Sequence, residues 1–147
     1  MELALIIVIA AIIAAVVIPR LGNPTGMQLK AAAKKVASDI RYAQSIAMTN
    51  RTAMWTRITF DASNNSYRIY SRGGNVKNPV TQESAFHVLL NQGGYQGIAV
   101  QNNFSTTFNY PLGNPSPDSQ PDYIALAIGT AFQNISVTPF TGKVVVK

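Results

Sequence analysis

The sequence of 147 residues predicts an α+β protein: a long N-terminal α-helix, broken near residues 19–26, packed on a small antiparallel β-sheet head. Three observations predict it. Residues 3–18 form an unbroken apolar run, and residues 27–49 repeat apolar side chains at helical spacing. From residue 52 the pattern changes to short stretches rich in β-branched and aromatic residues, separated by turn sequences. The division that follows is an apolar helix and break over residues 1–26 and a globular head over residues 27–147. Within the head an amphipathic helix is expected over 27–50 and strands over 52–147.

The N-terminal run, as a helix, spans about 24 Å at the usual rise per residue, somewhat less than a hydrocarbon core of ~30 Å. Its apolar residues occupy every face, so burial is required all round, by lipid or by protein. A secretory signal peptide has a basic start and a small-residue cleavage site, whereas this run begins with Glu2 and ends in Pro19-Arg20. A carboxylate at the edge of an apolar run is costly in lipid and is by default a functional candidate. Glu2 also fits a simpler role, a solvated first-turn acid favoured by the helix dipole. Pro19 removes a backbone donor and clashes with the preceding turn, which predicts a kink, break or local melting there.

Leu21-Gly-Asn-Pro-Thr-Gly26 reads as a break between helical segments, with Asn23 or Thr25 as cap for the next one. In that helix Leu29, Ala32, Ala33, Val36, Ile40, Ala43, Ile46 and Ala47 form one stripe. Lys30, Lys34, Lys35 and Arg41 fall largely off it. Strands are expected over 52–60 and 66–71, paired as a hairpin across Asp61-Ala-Ser-Asn-Asn65, with loops at 71–75 and 91–94. Weaker strands are expected over 97–101, 104–110, 122–128, 134–137 and 143–147. Residues 111–121 hold four prolines and are expected to be loop rather than strand.

Composition excludes several chemistries. The chain has no cysteine, so disulfides, thiolate metal sites, c-type haem attachment and cysteine catalysis are unavailable. His87 is the sole histidine, which rules out a multi-histidine metal cluster. No nucleophile motif accompanies it, and the glycine pairs lack a phosphate-loop pattern. No enzymatic activity and no cofactor are expected. Twelve Lys and Arg against six Asp and Glu leave a net charge of +6, but it is dispersed along the chain. Such a balance describes a solvated, mildly basic surface, and it also favours anionic partners.

Taken together, Glu2, the apolar run and Pro19 resemble the N-terminus of type IV pilins and type II secretion pseudopilins. The head resembles the pseudopilin H and FimT-type minor pilin group through Ser38-Asp-Ile-Arg-Tyr-Ala43, Asn50-Arg51, Ile58-Thr-Phe-Asp61 and Tyr67-Arg-Ile-Tyr70. Phe108-Asn-Tyr-Pro-Leu-Gly113 and the C-terminal Val137-Thr-Pro-Phe-Thr-Gly-Lys-Val-Val145 extend the likeness over nearly the whole chain. The resemblance implies a single-pass inner-membrane subunit that is processed by a prepilin peptidase and methylated at its N-terminus. Assembly machinery then moves it into a periplasm-spanning or extracellular filament. It implies a mature start three residues before Met1, and Ala11 stands where many members have a helix-loosening glycine. Leu3, Leu5, Ile6, Ile9, Ile12, Ile13, Val16 and Val17 would pack the filament core. Glu2 would set register by neutralising a neighbour's N-terminal amine, with Pro19 as the flexible break.

The same resemblance suggests an alternative, a minor pilin that binds DNA or primes a filament tip in DNA uptake or type II secretion. FimT-like pilins end in Gly-Arg-x-Arg, and the matching stretch here is Gly142-Lys143-Val144-Val145, with a second basic residue only at Lys147. Lys143, Lys147, Arg51 and Arg57 are the candidate phosphate contacts; attraction from a few basic side chains is weak and salt-sensitive. Some relatives bind calcium in a C-terminal loop. Asp118 and Asp122 are the candidates for that, few for a cation that takes about six to eight oxygens.

Overall fold

The computed structural model describes residues 4, 6–9, 12, 24–117 and 122–147. The expectations placed on Glu2, Leu3, Leu5, Ile13, Val16, Val17, Pro19 and Asp118 lie outside the described residues. The architecture is α+β. Helix α1 spans Pro24–Thr49, earlier at its start than expected. Proline suits a first turn, where its missing N–H would have no helical partner in any case. Thr25 therefore sits inside the helix rather than capping it, and Gly26 is helical rather than part of a break. At the other end the Thr49 hydroxyl donates back to the Ser45 carbonyl at 2.8 Å, and the Asn50 side chain accepts from the Ala53 amide at 3.1 Å. These bonds divert the chain into a turn, and Met54 takes a left-handed φ of 58° before the first strand.

Among the described residues ten strands follow: β1 Trp55–Asp61, β2 Ser66–Ser71, β3 Gly74–Asn75, β4 Phe86–Leu89, β5 Ala99–Val100, β6 Phe104–Asn109, β7 Asn114–Pro117, β8 Tyr123–Ile128, β9 Ala131–Val137 and β10 Val144–Val146. All pairings are antiparallel. The first sheet runs β3-β2-β1-β6-β7, with β4 also on β2; the second runs β10-β9-β8-β5.

The β1–β2 hairpin forms where expected. Its turn is held by Asp61, whose Oδ1 accepts from the amides of Ser63 and Asn64 at 2.9 and 3.3 Å. Three strands depart from the sequence reading. The short β3 falls in a segment read as loop, and β4 in one for which no element was expected. β7 runs through the proline-rich stretch expected to be loop, and it carries Pro115 and Pro117 opposite Phe108 and Thr106. β7 lies at the edge of its sheet. Spaced two apart, prolines can leave both missing donors on the open side of an edge strand. β9 also begins earlier than expected, because Gly129 at φ 57° and Thr130 close a two-residue hairpin between Ile128 and Ala131.

The core lies between α1 and the two sheets, with the helix contacting β1, β6, β8, β9 and β10. The helical stripe is buried as its spacing requires: Leu29, Ala32, Ala33, Val36, Ile40, Ala43 and Ala47, joined by Ala37. Along β1 exposure alternates, so Thr56, Ile58 and Phe60 face the helix while Trp55, Arg57, Thr59 and Asp61 line the outer face. Beneath the helix Phe60 stacks on Tyr67 at 4.9 Å between ring centroids, with Phe104 at 6.2 Å from Phe60 and Phe86 at 6.4 Å from Tyr67. The hydroxyls of Thr56 and Thr106 are buried in this layer with no hydrogen-bond partner among the described residues. Each is a local cost of the kind a buried unpaired polar group brings.

Candidate interaction surfaces

Ala4, Ile6, Ile7, Val8, Ile9 and Ile12 are helical. The larger of these side chains are open to solvent, at 62% for Ile6, 64% for Ile7, 55% for Val8, 49% for Ile9 and 59% for Ile12. Four consecutive residues of a helix step about 100° each, so Ile6 to Ile9 point to every side of the axis. An apolar turn exposed all round is unfavourable in water. Among the described residues no helix is long and apolar enough to cross a membrane.

One polar cluster fixes the helix on the first sheet. Asp39 is buried on the apolar face of α1, at 7% exposure. Its Oδ2 accepts from Lys35 Nζ, one turn back, and from the Tyr67 hydroxyl on the inner face of β2. Lys35 also lies 5.6 Å from the centroid of Phe86. Burial, and after it the charge of Asp39, pushes the Tyr67 hydroxyl far above the ordinary tyrosine value of 10.0. The carboxylate is thus paired and hydrogen-bonded, the condition under which a buried charge is tolerated. Sequence reading noted the motif around Asp39 without this role. The available signal was its place three residues after Val36 and four before Ala43, within the apolar stripe.

A second cluster holds two loops on the end of α1. Gln44 Nε2 donates to the carbonyls of Gly113 and Thr141 at 3.0 and 3.2 Å. Both loops approach through a glycine of left-handed backbone, Gly113 at φ 63° and Gly142 at φ 69°. A Cβ on Gly142 would lie 2.4 Å from Gln44 Nε2, and one on Gly113 would lie 2.7 Å from Met48 Cγ. Gly142→Ala is therefore expected to destabilise the head by about 2–3 kcal/mol, combining left-handed strain with displacement of the Gln44 hydrogen bonds. Urea unfolding measures this. Adding Gln44→Ala should cost less than the sum of the two single changes, because the clash is then already relieved.

The basic candidates are divided among separate elements. Arg51 is exposed in the turn after α1, and Lys143 and Lys147 are exposed at the two ends of β10, an edge strand of the second sheet. Arg57 is in the middle of the first sheet's outer face. Its Nε donates to Thr107 Oγ1 at 2.8 Å, and its guanidinium lies 5.6 Å from the centroid of Trp55. Asp122 is exposed just before β8. Among the described residues no group of three or more His, Asp or Glu side chains is gathered to hold a metal. His87 is exposed on β4, directly opposite Arg68 of β2. That juxtaposition was beyond sequence reading because the strand carrying His87 was not expected. In comparisons with known proteins, no family model, no curated protein and no solved structure matches the chain.

Proposed function

We propose that this chain is a structural subunit of the type IV pilin and pseudopilin kind, which polymerises through its N-terminal apolar helix into a periplasm-spanning or extracellular filament. The observation that carries the reading is the helical turn at Ile6–Ile9 with apolar side chains exposed on every side. A subunit that first sits in the inner membrane and later packs helix against helix needs such a surface, since it is buried in lipid before assembly and in protein after it. The head supports the same reading: a helix whose apolar stripe is laid on antiparallel sheets, with Lys30 and Lys34 exposed on its other side. In this proposal Leu3, Leu5, Ile6, Ile9, Ile12, Ile13, Val16 and Val17 form the core of the filament and Glu2 sets the register of neighbouring subunits. Prepilin peptidase and the assembly machinery are the partners.

Electron microscopy of material sheared from producing cells, with mass spectrometry of any filaments, tests this. Filaments built mainly of this chain are expected, with a processed and methylated N-terminus. Filaments from which the chain is absent would remove the proposal that it builds them.

A further inference from the structure

The outer face of the first sheet, away from α1, carries a cleft of about 900 Å³. Register assembles its floor from four strands: His87 of β4 lies opposite Arg68 of β2, Arg68 opposite Thr59 of β1, and Thr59 opposite Ser105 of β6. The neighbouring position on β2 adds Tyr70, and the β2–β3 turn and Asn75 form one wall.

Two features of this row are unusual for a face with only structural duties. Basic side chains directly opposite one another on neighbouring strands disfavour pairing, yet Arg68 and His87 are so placed, and both are exposed. Among the described residues neither side chain makes a hydrogen bond. The one acid of the cleft, Asp61, is occupied by its own turn, where Oδ2 accepts from Asn64 Nδ2 at 2.6 Å and Oδ1 from two backbone amides. Asp61 lies within electrostatic range of Arg68 but makes no hydrogen bond to it. The cleft therefore presents a guanidinium whose N–H groups make no hydrogen bond among the described residues, beside an imidazole, a combination suited to an oxyanion such as a carboxylate. The rest of the floor is hydroxyl and amide. Thr59 and Ser105 lie 3.2 Å apart, oxygen to oxygen, and Asn75 and Tyr70 also line the cleft.

From this chemistry we infer that the outer cleft of the head binds an acidic oligosaccharide, with a uronate carboxylate on Arg68 and His87 and sugar hydroxyls on the Thr59–Ser105 row. The volume lies within the range of about 300–1,000 Å³ typical of ligand clefts. A single-stranded nucleic acid fits less well, because successive bases need successive aromatic platforms. Among the described residues Tyr70 and the smaller His87 ring are the aromatic groups on the outer side of the cleft; the nearby Trp55 meets Tyr70 edge-on at 6.0 Å and has Arg57 over its own ring. This inference is independent of the filament reading.

Calorimetric titration tests it, using the full chain in an uncharged polyoxyethylene detergent that offers neither charge nor sugar. The probes are trigalacturonate, its methyl ester and an eight-residue oligothymidylate, and fluorescence of the single tryptophan gives a second readout. Trigalacturonate is expected to bind and its ester to lose most of that affinity. Arg68→Ala should weaken binding about tenfold or more, Arg68→Lys should weaken it less, and His87→Gln should weaken it while leaving thermal unfolding unmoved. The proposal is overturned by any of four results: no binding of trigalacturonate, equal binding of the ester, unchanged affinity in Arg68→Ala, or tighter binding of oligothymidylate, which would make the face a nucleic-acid platform.

Discussion

Asp39→Ala is expected to destabilise the head by about 3 kcal/mol, lowering the melting temperature by roughly 10 °C. The reason is what the change leaves behind. Lys35 loses its carboxylate, and the Tyr67 hydroxyl, nearly inaccessible beneath α1, loses its acceptor among the described residues. Tyr67→Phe should cost less, about 1.5–3 kcal/mol for one charge-assisted hydrogen bond, since Asp39 then keeps Lys35. In the double variant the two losses should fall well short of additive, because they remove the same bond. Additive losses in urea unfolding would show that Asp39 and Tyr67 act separately, and the helix anchor described above would not stand.

The anchor has a pH signature whose sign follows from Tyr67. Its hydroxyl titrates far above the ordinary value of 10.0 in the folded protein because burial and then Asp39 disfavour the phenolate. Below about pH 10 folded and unfolded chains both hold this proton, and the stability it accompanies is fully present. Above that pH the unfolded chain releases the proton while the folded chain keeps it. Stability should then fall by up to about 1.4 kcal/mol per pH unit. Tyr67→Phe should flatten that alkaline decline while remaining less stable at neutral pH.

How much of this was legible beforehand depended on whether a feature is local. The stripe of α1 was readable because its residues recur within one element, and its members are buried accordingly, with Ile46 only half-buried. The β1–β2 hairpin was readable because Asp61 to Asn65 is a self-contained turn. β7 was not, because proline argues against a strand unless the strand is at an edge, and edge position is a property of the whole sheet. Asp39 was half legible: its place on an apolar face demanded a partner, but Tyr67, 28 residues away, comes into range only through the packing of β2 on the helix. The outer cleft was less legible still. His87 meets Arg68 through a pairing of β4 with β2 that no local pattern announces.

The other large effect concerns assembly rather than folding. On the proposed function, Glu2→Lys is expected to abolish filaments. In a low-dielectric filament core a carboxylate beside a neighbour's amine is a compensated pair, whereas a lysine there places two like charges together. Leaving a buried charge uncompensated costs about 3–5 kcal/mol, and every subunit added bears that cost again. Around 4 kcal/mol raises the concentration needed for elongation roughly a thousandfold. Glu2→Gln removes the attraction without adding repulsion, so it should slow assembly or misalign it rather than stop it. Neither change touches the core of the head, which is built from residues between Leu29 and Val144, so thermal unfolding of the head should be unmoved. Counting filaments by electron microscopy against that constant unfolding separates the two roles Glu2 can have. A solvated first-turn acid would leave assembly nearly intact in both variants, and normal filaments from Glu2→Lys would end the register proposal.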